Sequence, residues 1–282
     1  MSNIGRTIGR TAAAAAFAVG TLLASGAWAG PIFLTGHDPD FHAQSSAGAK
    51  NLLNVGLSFA TGGTHNLNDG NKFLWVESRI SPPGGHLIGE NGLAAIGLSL
   101  GTHYERANAA ELGAINFGDF TAIAVASSFG ALLTRAELDG LIARSADIEA
   151  FVNAGGGIFA SAECFPCGAS LLAGATAPNL FGFLPVTVTS IGASPPFDVS
   201  AFGAGLGLVN TDLNDATHNS FGAVGGLNIV DTDSAGNATT LAGVVSVGGG
   251  GFIPVPEPSG LSLFGMGLLA LGLAMFWRRR TD

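Results

Sequence analysis

Between Asp119 and Ala162 the chain carries the pattern that most restricts its fold. Phe120–Ala126 is an unbroken run of apolar and small residues, and Ile158–Ala162 is another. Between them, Thr134 with Glu137 three residues later is a capping-box signature. An apolar stripe of Leu138, Leu141, Ile142, Ile148, Phe151 and Val152 follows, closed by Gly155-Gly156-Gly157. Strands in an antiparallel sheet with one wet face alternate apolar and polar residues. Near-continuous apolar strands joined by a helix instead require a parallel sheet covered on both faces. The chain is therefore expected to be an α/β protein.

The flanking sequence extends this frame. Pro31–Thr35 reads as a buried first strand ended by Gly36, and Lys72–Glu77 as a second strand. Ser45–Phe59 has helical spacing, with Ser45 or Ser46 as N-cap and Gly62-Gly63 as stop. Leu93–Leu100 reads equally as helix or strand. Beyond Pro178 the texture becomes β-like. Pro185–Ser190 reads as a strand, and Leu227–Val230 with Thr239–Val247 as a hairpin around the polar turn Asp231–Asn237. No internal repeat is present.

Both ends belong to export rather than to the fold. Arg6 and Arg10, the alanine-rich run Thr11–Ala24 and Ala27-Trp28-Ala29 form a secretory signal peptide over residues 1–29. At the other end, Val255-Pro256-Glu257-Pro258 precedes an uncharged run from Ser259 to Trp277 and then Arg278-Arg279-Arg280. Nineteen helical residues span about 28 Å, enough for a transmembrane helix, and the arginines act as a membrane stop that stays cytoplasmic. Residues 248–254 form a glycine-rich linker between this tail and a domain at 30–247. Between Gly30 and Pro256 there are six Lys/Arg against eighteen Asp/Glu, a formal charge of −12. Nucleic acid and anionic lipid headgroups, which need a basic surface, are excluded as partners.

The tail, with motif, apolar span and basic stop in that order, closely resembles the PEP-CTERM sorting signal of Gram-negative bacteria. That resemblance implies an exosortase substrate. It would be exported by the Sec machinery, held in the inner membrane before processing, and then displayed at the cell surface or released outside the cell. PEP-CTERM proteins are associated with biofilm and exopolysaccharide, which makes a glycan the partner the resemblance implies.

The stretch from Asp119 to Glu163, through "FVNAGGGIFASAE", resembles the core of the class I glutamine amidotransferase-like fold, and within it the ThuA-like and DJ-1-like branch. The opening "IFLTGHDPDFH" also suits such folds. The resemblance implies a flavodoxin-like three-layer parallel sheet, here with a β-rich C-terminal part. The match fails at the chemistry. The strand delivers Ala162-Glu163-Cys164 without the glycines of a nucleophile elbow, and no later His-x-Glu pair supplies a base, so glutaminase activity is not expected.

Three groups of residues are candidates for chemistry. Cys164 and Cys167 form a C-x-x-C that reads as a nucleophile or redox dithiol at a helix start, as a short-range disulfide, or as two thiols left from an ancestral elbow. His37, Asp38, Asp40 and His42 cluster just past the first strand, where open parallel sheets bind ligands, and are of types that hold a divalent metal; ordering of the loop by the two carboxylates is the alternative. Glu163 is a candidate general base or a helix cap. His103 and His218 read as loop histidines. Asp231, Asp233 and Asn237 read as a hairpin turn rather than a Ca²⁺ loop, since no bidentate Glu follows. The expected function is an exported surface or matrix protein whose domain binds a ligand or is structural, more a binding protein than an enzyme. The alternative is a metal-assisted hydrolase of carbohydrate, using His37, Asp38 and His42 with Glu163.

Overall fold

The computed structural model describes residues 29–62, 71–78, 88–128, 132–161, 171–176, 180–213 and 219–244. Residues 1–28 of the expected signal peptide, the expected linker, the sorting tail, the Glu163–Cys164–Cys167 segment and His218 lie outside them. Among the described residues, ten strands form one sheet. Its first half is parallel: β3 (Tyr104–Ala107), β2 (Phe73–Val76), β4 (Ala122–Val125), β5 (Gly157–Ser161) and β1 (Pro31–Thr35), in that spatial order. The second half is antiparallel and continues from β1 through β10 (Ala238–Val244) to β8 (Asn219–Val224) and β6 (Val188–Gly192). β9 (Asn228–Thr232) pairs with β10 as the expected hairpin, and short β7 (Asp198–Val199) pairs with β9. The β-rich C-terminal part is thus an extension of the parallel sheet, joined to it by its last strand.

Register shows how the two faces are built. Phe33 lies beside Phe159, and their rings stack at 6.0 Å under helix α2 (Ala47–Ala60). A Cβ at Gly56 of α2 would lie 2.6 Å from the Phe159 ring, so this residue has no side chain where helix crosses sheet. Ile32, Leu34, Ile158 and Ala160 point the other way and are also fully buried. Both faces are therefore covered, as uninterrupted apolar strands demand. Ser46 caps α2 by accepting from Ala49 N at 3.2 Å, and Gly62 ends it with φ of +72°.

The stripe read as one helix is two, α5 (Arg135–Ala143) and α6 (Ser145–Asn153), broken at Arg144. Its guanidinium donates to Leu112 O, at the end of helix α4 (Ala109–Leu112), and to Ile115 O, each at 2.6 Å, and lies 4.1 Å from the centre of the Phe117 ring. These long-range contacts set the break. At the start of α5 Glu137 accepts from Thr134 N at 3.1 Å, while the Thr134 hydroxyl donates to the same carboxylate. Leu93–Leu100 resolves into the end of helix α3 (Glu90–Ala95) followed by a turn at Gly97. Strand β6 begins at Val188, later than the run from Pro185 indicated, and β3 and β8 carry no strong sequence signal.

Gly157 has a role beyond stopping a helix. A Cβ there would lie 1.7 Å from the Ala60 carbonyl oxygen, so the start of β5 sits directly under the end of α2. Backbone cannot rotate aside as a side chain can. Gly157→Ala is expected to destabilise the fold by about 3 kcal/mol. Chemical denaturation checks this, and a cost below about 1 kcal/mol would contradict the close approach.

Candidate functional site: the carboxyl edge of the parallel sheet

Each strand of the parallel half except β3 runs from an apolar body into buried polar residues. Thr35 ends β1, Glu77 and Ser78 follow β2, Ser127 and Ser128 follow β4, and Ser161 ends β5; none is more than 5% exposed. The chain leaves β2 for β3 on one side and returns to β4 on the other, so β2 and β4 flank a point where the strand order reverses. Open α/β sheets bind ligands at this point, outside the carboxyl ends of the strands.

Side-chain direction follows from register. Phe33 and Phe159 lie on the α2 face, and alternation carries Thr35 and Ser161 to that face. Ala124 is opposite Phe159, and Trp75 is opposite Ala124, which puts Trp75 and Glu77 on the same side. Asp40 joins them from the short helix α1 (Pro39–His42), where its Oδ2 accepts from Ser127 N at 2.9 Å. Its Oδ1 has no hydrogen-bond partner among the described residues, nor has Ser161 Oγ. A Cβ at Gly92 of α3 would lie 2.1 Å from the Asp40 carbonyl oxygen, so α3 presses its backbone onto α1 at this residue.

Glu77 is held from three sides. Trp75 Nε1 donates to it at 2.5 Å, Gly89 N at 3.0 Å and Glu90 N at 3.3 Å. Glu90 turns away to accept from the Tyr104 hydroxyl at 2.9 Å and to pair with Arg106. Burial raises the Asp40 carboxyl from 3.8 to about 6, although hydrogen bonds from Ser127 pull in the other direction. Burial likewise raises Glu77 from 4.5 to about 7, against the Trp75 hydrogen bond and with the added charge of Asp40. Two carboxyls with pKa values near neutrality, beside unpartnered acceptor atoms, can exchange protons and accept hydrogen bonds from a ligand.

The four residues singled out in the 37–42 loop fall into three separate arrangements. His37 is fully buried and turns to the antiparallel half, with Nε2 3.0 Å from Asp231 Oδ2 and its ring edge-on to Phe197 at 4.8 Å. Beneath it Thr35 Oγ1 accepts from His37 N at 3.1 Å and bonds Thr240 Oγ1 at 3.0 Å. Asp38 pairs with His42 Nε2 at 3.3 Å, and Asp40 alone reaches the β2–β4 junction. Among the described residues no three His, Cys, Asp or Glu side chains come together as a metal centre requires. His103 accepts from Ser99 N at 2.9 Å within a turn. Asp233 organises the β9–β10 turn, accepting from Asn237 N at 2.8 Å and Ala235 N at 3.0 Å. Desolvation opposes its ionisation, but hydrogen bonds from Asn237, Ser220 and Ser194 outweigh it and hold the carboxyl below its usual range.

Glu77, Ser127, Ser161 and Asp231 escaped the sequence reading of the site. The available signal was positional: a polar residue directly after an apolar strand. Asp231 carries a testable consequence. Asp231→Ala leaves a buried imidazole without its carboxylate and is expected to cost about 3 kcal/mol, against about 1 kcal/mol for Asp231→Asn. Equal costs measured by denaturation would show that the His37 contact is dispensable.

Among the described residues no helix is long and apolar enough to cross a membrane. A family model described as the PEP-CTERM protein-sorting motif matches residues 254–280. No curated protein and no solved structure matches the chain. The match covers the same Pro-Glu-Pro motif, apolar run and arginines that the sequence singles out. The chain carries a PEP-CTERM sorting motif, the mark of a secreted, membrane-transiting protein that an exosortase processes.

Proposed function

We propose that residues 30–247 form an amidotransferase-like α/β domain without glutaminase activity, displayed at the surface or in the extracellular matrix of a Gram-negative bacterium. There it binds a neutral, hydroxyl-rich ligand, a sugar unit of exopolysaccharide. One observation carries the reading: Asp40 and Glu77 meet at the β2–β4 switch point and Ser161 ends the neighbouring strand β5 on the same face, with Asp40 Oδ1 and Ser161 Oγ unpartnered among the described residues. The parallel order β3-β2-β4-β5-β1 supports the scaffold, since it follows the flavodoxin-like 2-1-3-4-5 order with β1 in the last place. The domain's charge of −12 disfavours anionic sugars, and acceptor oxygens favour donors such as hydroxyls. The edge is closed, with Asp40, Glu77 and Ser161 at 0% exposure, so binding requires it to open and association is slow.

A second reading, a carbohydrate hydrolase, is favoured by the raised pKa values of Asp40 and Glu77. Its metal-assisted form drew on His37, Asp38 and His42, which stand in separate pairings, and on Glu163, outside the described residues. Saturation-transfer NMR of the processed protein with neutral, amino and uronic sugars separates the outcomes. Binding of a neutral sugar, weakened about tenfold or more by Asp40→Ala or Ser161→Ala, is expected. Release of reducing ends from a bound oligosaccharide would select the hydrolase. Absence of any sugar binding, or binding indifferent to both variants, would overturn the assignment.

A further inference from the structure

A concavity lies at the opposite edge of the sheet. It is an apolar groove of about 710 Å³ between α2 and the ends of β1 and β10, walled by Pro31, Val55, Phe59, Leu206 and Val244. That volume is in the range of sites that bury a substantial ligand. Its walls are mainly half-buried apolar side chains, Asn54 and Ser58 add two polar ones, and no charged residue lines it. Val244 is both a wall of the groove and the last of the described residues, so the remaining C-terminal segment starts from the groove.

We propose that this groove seats Phe252 and Ile253, the apolar pair that immediately precedes the sorting motif. The chain beyond Val244 continues as Val245-Ser246-Val247, then Gly248–Gly251, then Phe252-Ile253, with the family match beginning at residue 254. The eight residues from Val244 to Phe252 reach up to about 26 Å. Four consecutive glycines permit the chain to reverse and return to the groove it has just left. Phe252 and Ile253 are the bulky apolar residues of an otherwise glycine-rich approach, and the groove supplies apolar surface to cover them. Seating the pair holds Pro256-Glu257-Pro258 against the edge of the sheet opposite the polar site. The groove exists only once α2, β1 and β10 have assembled, so presentation of the motif is coupled to folding of the domain.

The test is photo-crosslinking in the full-length precursor, with a benzophenone amino acid at position 252 and adducts mapped by mass spectrometry. The proposal expects intramolecular adducts within residues 54–62 or at Leu206. It also expects Val55→Asp, a half-buried wall substitution, to lower their yield at least tenfold while circular dichroism still reports a folded domain. Adducts confined to a second copy, to lipid or to other parts of the domain would overturn it. So would a yield that Val55→Asp leaves intact.

Discussion

Trp75→Ala is expected to lower stability by about 5 kcal/mol, the largest effect of any single side chain considered. The ring is fully buried in β2, and truncating a buried tryptophan costs about 3–5 kcal/mol through lost burial and the cavity left behind. The indole also donates to Glu77 at 2.5 Å, and loss of a hydrogen bond to a buried carboxyl adds about 1.5–3 kcal/mol, not fully additively. For a domain of this size the melting temperature falls by roughly 10–15 °C. Trp75→Phe keeps most of the packing and removes the donor, so it isolates the hydrogen bond at about 2 kcal/mol. Equal losses in the two variants would mean that packing around the ring contributes little, against its burial. Trp75 is also the one tryptophan between Trp28 and Trp277, which makes its fluorescence a local probe of the Glu77 carboxyl.

The second expected result is a stability that declines as pH rises through neutrality. Folding raises Asp40 from 3.8 to about 6 and Glu77 from 4.5 to about 7, so the native state keeps protons that the unfolded chain has released. Raised carboxyl pKa values contribute stability that is fully present below about pH 4. It is lost progressively until the pH exceeds the folded value of about 7. At 1.36 kcal/mol per unit the loss is at most about 3 kcal/mol for each carboxyl. Asp40→Asn/Glu77→Gln removes both titrations, so the double variant should gain on the wild type steadily between pH 4 and pH 7. Asp233, whose carboxyl is held below its usual range, moves the opposite way, which makes the difference between the two proteins the quantity to follow. Parallel stability curves across that window would show that the pair is not protonated in the native state.

How much of this was legible depended on the distance over which each feature is determined. Strands β1, β4 and β5 and helix α2 were readable because apolar runs, Ser46 and the flanking glycines act within a few residues. The break at Arg144 was not, because its guanidinium answers to carbonyls at Leu112 and Ile115. In the 37–42 loop the residue types pointed to a functional edge, but their grouping did not follow from proximity in the chain. His37 found its partner 194 residues away in Asp231, while Asp40 bonded the end of β4. Glu77 looked like the charged end of a strand. Only the strand order brought it to Asp40.

By itself, the amino-acid sequence determined the export logic and the α/β character. Sorting signals are read as linear order, and a parallel sheet covered on both faces leaves unbroken apolar strands in the chain. The tertiary structure decided that the antiparallel strands extend the parallel sheet through β1 and β10. It also decided that β2 and β4 flank the strand-order reversal, and that Asp40 and Glu77 share one buried corner there. Those outcomes depend on which strands become neighbours, and strand pairing is set by long-range packing that no local pattern encodes.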